Sequence, residues 1–192
     1  MEVIAIDDGY FPLEYKARRG YTILFGVLYS IPTHAIEGFS WNYIEVDGLD
    51  ATDKAIEIIR FLKRNENIVL LDGVTYGGFN IIDPRRIYGE TKTPCIVVFR
   101  YPLSIERIRK ALTKNFSDYK IRLEVIEYVL TRRYVMETPW RALEYTPVGI
   151  SPYEAKAVLE KLQFYSPEPE PLRIADQLAS ILSKEMLRIG ML

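Results

Sequence analysis

The sequence predicts an α/β fold, a mixed sheet flanked by helices, and three observations carry that reading. Two stretches, Ile-Ala-Ile-Asp-Asp-Gly-Tyr at 4–10 and Asn-Ile-Val-Leu-Leu-Asp-Gly at 67–73, are apolar runs that end on a carboxylate and a glycine. Runs of this kind suit central strands covered on both faces. Between them lie two β-type segments and a helical stripe, so the order is strand, hairpin, helix, strand. A chain of 192 residues with 48% hydrophobic content can close this core as one domain, 1–192.

Each element has a local cause. The run 21–31, Tyr-Thr-Ile-Leu-Phe-Gly-Val-Leu-Tyr-Ser-Ile, is rich in aromatic and β-branched residues, and Pro32-Thr33 breaks it before a second strand over 34–46. His34, the only histidine, falls at that turn and reads as a surface residue. Ala55, Ile58, Ile59 and Leu62 recur at helical spacing, with Asp50 or Thr52 available to cap the first turn. After Asp72 the segment 73–92 reads as a long irregular loop, with Gly77-Gly78, Asp83-Pro84 and Gly89. The run 94–101 is the next buried strand, containing Cys95 as a small core residue, and Ser104 caps a short helix over 105–114.

Residues 119–135 alternate in part and read as one or two strands, and 140–150 as another extended segment. Ser151-Pro152-Tyr153-Glu154 is a capping box with proline at the first helical position. The proline-alternating run 166–171 is a stiff connector, and a last helix from about 172 carries Ile174, Leu178, Ile181 and Leu182, with Asp176 in its first turns.

Composition narrows the function classes. The chain contains no apolar run of about 18 residues that crosses a membrane. With a strand starting at once and one cysteine, a cytoplasmic protein is expected. A net charge of −1 gives no overall attraction to nucleic acid, although basic residues bunch at 16–19, 84–86, 107–110 and 132–133. The two strand-end acids Asp7 and Asp72 point to a site. Side-by-side strands would hold them at the sheet edge where open α/β folds place ligands. Their mutual repulsion is relieved by a divalent cation such as Mg²⁺ or Mn²⁺. Asp8, adjacent on its strand, is expected to face the other way.

Four motifs in order resemble endonuclease V, and the whole chain most resembles an uncharacterised, mainly archaeal family related to it. They are Ile6-Asp7-Asp8-Gly9-Tyr10, Leu70-Leu71-Asp72-Gly73, Pro84-Arg85-Arg86 with the strand 94–100, and Pro169-Glu170-Pro171-Leu172-Arg173-Ile174-Ala175-Asp176. The resemblance implies a ribonuclease H-like fold, with three antiparallel strands followed by parallel ones. It also implies metal-assisted phosphodiester hydrolysis, with Asp7, Asp72 and Asp176 as metal-binding acids. Arg100 falls where the family has a lysine, as a charge that cannot give up its proton. In a nuclease, Tyr10, Arg85 and Lys92 are the expected contacts to nucleic acid, with Lys92 or Arg100 holding the scissile phosphate and Tyr10 stacking on a base.

Besides Arg100, this chain departs from the family's pattern at three further places. The family's glutamate at the start of the first helix corresponds to Leu49-Asp50-Ala51-Thr52-Asp53, where Asp50 or Asp53 can substitute. Its histidine corresponds to Asp83, and its Pro-Tyr-Ile-Pro wedge has no counterpart. Two classes therefore stand at this point. One is a Mg²⁺- or Mn²⁺-dependent endonuclease acting on DNA or RNA. The other is a catalytically inactive member of the fold that binds a nucleic acid, a nucleotide or a protein.

Overall fold

The computed structural model describes residues 1–64 and 67–192, without the side chains of Ala17 and Arg18 in the basic cluster 16–19. Its centre is a seven-stranded mixed sheet. The strands that build it are β1 (Glu2–Asp8), β2 (Tyr21–Ser30), β3 (Ala35–Glu45), β4 (Asn67–Asp72), β7 (Cys95–Phe99), β8 (Tyr134–Met136) and β9 (Leu143–Val148), in the order β3-β2-β1-β4-β7-β9-β8. The first three are antiparallel, and β1, β4 and β7 run parallel. This is the arrangement the resemblance implied, extended by β9 and β8, which return antiparallel on the far side.

Alternation along the strands builds two cores. Ile4, Ile6, Val69, Leu71, Cys95 and Val97 face α2 (Ala51–Leu62), α3 (Pro84–Thr91), α4 (Ile105–Asn115) and α5 (Tyr119–Leu130). Val3, Ala5, Ile68, Leu70, Ile96 and Val98 face α6 (Pro152–Glu160) and α7 (Glu170–Arg188). The remaining helix, α1 (Tyr15–Arg18), is a single turn between β1 and β2. The capping box at Ser151 and Glu154 is formed, with Pro152 at the first position. His34 is an exposed turn residue at φ 53, edge-on to Phe164, and Cys95 is fully buried.

Three local expectations need correction. The stretch 119–135 is mostly helix: α5 covers 119–130, and only Tyr134–Met136 is strand. Val125, Ile126, Val129 and Leu130 are buried at helical spacing, whereas Ile121, which completed the apparent alternation, is exposed. The segment 73–92 is ordered. It holds a small hairpin, β5 (Thr75–Tyr76) and β6 (Asn80–Ile81), and then α3, whose start is capped by Asp83 accepting from Arg85 N, with Pro84 following.

The third correction concerns the start of α2, where neither Asp50 nor Thr52 caps the helix. Asn80 Oδ1 accepts from Ala51 N at 3.0 Å, so the cap comes from the hairpin. Asp50 accepts from Glu45 N and from Asn80 Nδ2, while the Thr52 hydroxyl bridges Ile81 O and Asp83 N.

Candidate metal and nucleic-acid site

Period-2 alternation explains why the polar strand ends meet. Asp7 continues the phase of Val3 and Ala5, Asp72 that of Ile68 and Leu70, and Arg100 that of Ile96 and Val98. Because β1, β4 and β7 are parallel neighbours, with Ile6 beside Leu71 and Asp72 beside Val98, all three side chains emerge at one end of the sheet towards α7. Helix α7 lies close because its inner face is small. Ala175, Ala179 and Ser183 are buried, and a Cβ on Gly9 would stand 2.6 Å from that of Ser183. Tyr10 N donates to Ser183 Oγ at 2.8 Å, fixing the helix to the end of β1. Asp176 lies two helical turns before Ser183, on the same side.

The acids gather round one guanidinium. Arg100 Nη2 lies 3.0 Å from Asp7 Oδ2, and Nη1 lies 3.3 Å from Asp176 Oδ2 and 3.8 Å from Glu168 Oε2. Arg100 Nε is 2.5 Å from Asp72 Oδ2, yet its N–H has no aligned acceptor. Arg141 donates to the carbonyl of Arg100, holding the backbone of the cation in place. The expected trio Asp7, Asp72 and Asp176 is therefore brought together, with Arg100 at its centre.

Charge is stressed here. Burial, with Asp8 and Asp72 adding repulsion, pushes the Asp7 carboxyl well above the usual carboxylate range, against the pull of Arg100. Burial raises Asp72 to about 6, and Arg100 opposes it. Asp8 points to the opposite side of the strand, as alternation requires, and accepts from Gly77 N at 2.9 Å. Burial pushes it to about 7, with Asp72 and Asp176 adding to the rise. Burial works against the charge of Arg100, but Asp72 and Asp7 outweigh it and the guanidinium stays ionised.

Other candidates lie elsewhere. Asp50 is committed to the β3 turn and Asn80, and Asp53 pairs with Arg86 at 2.7 Å on the surface, so neither supplies a fifth group at Arg100. Arg85 is held by Asp83 and Glu124 and lies over the Tyr128 ring. Lys92 is exposed in the left-handed turn that ends α3, with no ion pair among the described residues. Tyr10 is half exposed beside α7, with Lys184 Nζ 5.6 Å from its ring centre.

Glu168 is the carboxylate that sequence reasoning missed. Its signal was the proline on either side, which fixes the backbone where it approaches Arg100. The neighbouring Glu170 instead pairs with Arg173 at 2.5 Å.

Four carboxylates round one partly buried cation are a hard-oxygen donor set, which suits Mg²⁺ or Mn²⁺. As they lie, no three such groups among the described residues stand close enough to hold one ion. Arg100 sits between them. Also among the described residues, no helix is long and apolar enough to cross a membrane.

Comparison with known proteins agrees with this architecture. The family model described as endonuclease dU matches residues 1–183. The UPF0215 protein of Thermococcus sibiricus is 35% identical over 181 residues, covering 94% of this chain and 91% of that protein. A UPF0215 protein of Sulfurisphaera tokodaii is 33% identical over 187 residues, 97% of each. Among solved structures, an Archaeoglobus fulgidus protein of unknown function superposes with a TM-score of 0.78 at 29% identity, covering 94% of this chain and 97% of that one. Bacillus subtilis endonuclease V gives 0.65 at 15% identity, covering 98% and 83%. A Ciona intestinalis endonuclease V bound to inosine-containing DNA gives 0.60 at 9% identity, covering 96% and 86%. These last two likenesses concern the fold.

Proposed function

The chain belongs to the endonuclease dU family, an archaeal group related to endonuclease V, and from that membership we propose that it is a divalent-metal-dependent endonuclease that hydrolyses phosphodiester bonds in nucleic acid. The observation that carries the reading is the convergence of Asp7, Asp72 and Asp176, far apart in sequence, on one partly buried guanidinium. Buried like charges are costly, and an acid cluster at the end of parallel strands is where a ligand repays that cost.

In this reading Asp7, Asp72 and Asp176 would hold the ion, with Glu168 as a further carboxylate beside them. Mg²⁺ or Mn²⁺ there supplies Lewis-acid polarisation of the phosphodiester and a lowered pKa for an attacking water. Arg100 contributes a fixed positive charge for the scissile phosphate and no proton. Tyr10, exposed at the rim beside Lys184, offers a ring for a base to stack on, whereas Lys92 precedes the start of β7 and so lies at the opposite end of the parallel strands from the acids. The dU in the family's name makes DNA containing deoxyuridine the first substrate to test.

A non-catalytic nucleic-acid binder is the second reading. It is favoured by the position of Arg100 amid the acids and by the commitment of Asp50 and Asp53 elsewhere. The two separate when purified protein is incubated with Mn²⁺ or Mg²⁺ and labelled deoxyuridine, inosine, branched and single-stranded substrates. Cleavage by wild type that Asp72→Asn abolishes supports the nuclease. Binding without cleavage, or equal cleavage by Asp72→Asn, removes it.

A further inference from the structure

We infer that Arg100 is a resident counter-ion, and that its guanidinium and a divalent cation are alternative occupants of the same carboxylate cluster. The inference rests on the metal-site reading above. Arg100 reaches Asp7, Asp72, Asp176 and Glu168 with three different nitrogens at 3.0, 2.5, 3.3 and 3.8 Å. A planar fork that touches carboxylates from β1, β4, α7 and the segment before α7 lies at their centre. Mg²⁺–oxygen bonds are only about 2.1 Å, so ligands sharing one ion must close in further than a guanidinium allows. A dication and a guanidinium also repel each other at such a distance. Among the described residues no trio is close enough to hold a metal as they stand.

The arginine is built to leave. Its side chain is 19% exposed, so a path to solvent exists. Its Nε–H is buried without an aligned acceptor, so the seated position leaves one strong donor unsatisfied. The grip of Arg141 on the Arg100 carbonyl anchors the backbone, so withdrawal is a change of side-chain rotamer about a fixed pivot. Loading the cluster thus releases a guanidinium at the mouth of the site, where it becomes free to meet a phosphate. Metal and nucleic acid are then coupled through one side chain, each favouring the withdrawn state.

Titration calorimetry with Mn²⁺ alone, on wild type and Arg100→Gln, tests this. The seated state reduces apparent affinity by the fraction of molecules ready to bind. A withdrawn population of a tenth or less predicts Mn²⁺ binding about tenfold tighter or more by Arg100→Gln. Equal or weaker binding by the variant overturns the inference and leaves the metal-site reading standing. Absence of Mn²⁺ binding by both proteins overturns both. Should the variant not fold, the wild-type NMR signal of Arg100 Nε–H decides alone. It is expected to move towards the position of a solvated arginine on saturation with Mg²⁺. An unmoved signal in Mg²⁺-bound protein overturns the proposal.

Discussion

Asp72 ends β4 and Arg100 directly follows β7, its parallel neighbour, in the same side-chain phase, and their charged atoms meet at 2.5 Å. The contact follows from register alone, since Val98 lies beside Asp72 and Arg100 continues its phase. Neutralising Asp72 should therefore remove function without dismantling the sheet. Asp72→Asn is expected to lower cleavage by about a hundredfold or more. Its far-ultraviolet dichroism should match wild type, and Arg100 keeps Asp7, Asp176 and Glu168 as partners.

Stability should fall as pH rises in the absence of divalent metal. Asp72 and Asp8 stand at about 6 and about 7 in the fold, against 3.8 for the ordinary side chain, and Asp7 is also raised. The folded state then holds protons that the unfolded chain has released. The stability these groups contribute is full below about pH 4 and is lost as pH rises to about 7. The slope is at most about 1.4 kcal/mol per pH unit for each group. Thermal melts in chelator between pH 5 and pH 8 measure it. Mn²⁺ should raise the melting temperature more at pH 8 than at pH 5, because its ligands must be deprotonated.

Gly9 sets the distance between α7 and the end of β1. A methyl group there would meet Ser183 Cβ at 2.6 Å and Ile23 Cγ1 at 2.9 Å. Gly9→Ala is expected to cost about 1–3 kcal/mol in chemical denaturation. It should also weaken Mn²⁺ binding, because Asp176 rides on the displaced helix.

Asn80 and Asp50 make a contrasting pair. Asn80 accepts from Ala51 N and donates to Asp50, tying the β5–β6 hairpin to the start of α2. Asn80→Ala should cost about 1–3 kcal/mol through unsatisfied buried groups. Asp50→Asn should leave Mn²⁺ affinity unchanged. A matched calorimetric series checks both, and a large loss of affinity in Asp50→Asn would place that acid in the site.

Much of this was legible in the sequence, and the exceptions have physical reasons. The strand ends at Asp7 and Asp72 were readable because apolar runs stop there on an expensive residue. Ser151-Pro152 likewise announced its helix through purely local chemistry. The stretch 119–130 deceived because three alternating apolar residues fit a strand as well as a helix, and packing against α4 and the buried Arg122, paired with Asp118, decided for the helix. The cap of α2 was not legible, because it arrives from Asn80, about thirty residues away. Glu168 was missed for a similar reason. Its proximity to Arg100 depends on where α7 docks, and that depends on the contact between Gly9 and Ser183.

The most direct measurement is anomalous diffraction from a crystal soaked in Mn²⁺. A peak bounded by the carboxylates of Asp7, Asp72 and Asp176, with oxygens about 2.1–2.3 Å away, is the predicted result. Mn²⁺ located only at other carboxylates, or no peak with the guanidinium of Arg100 still seated among the three acids, would contradict it.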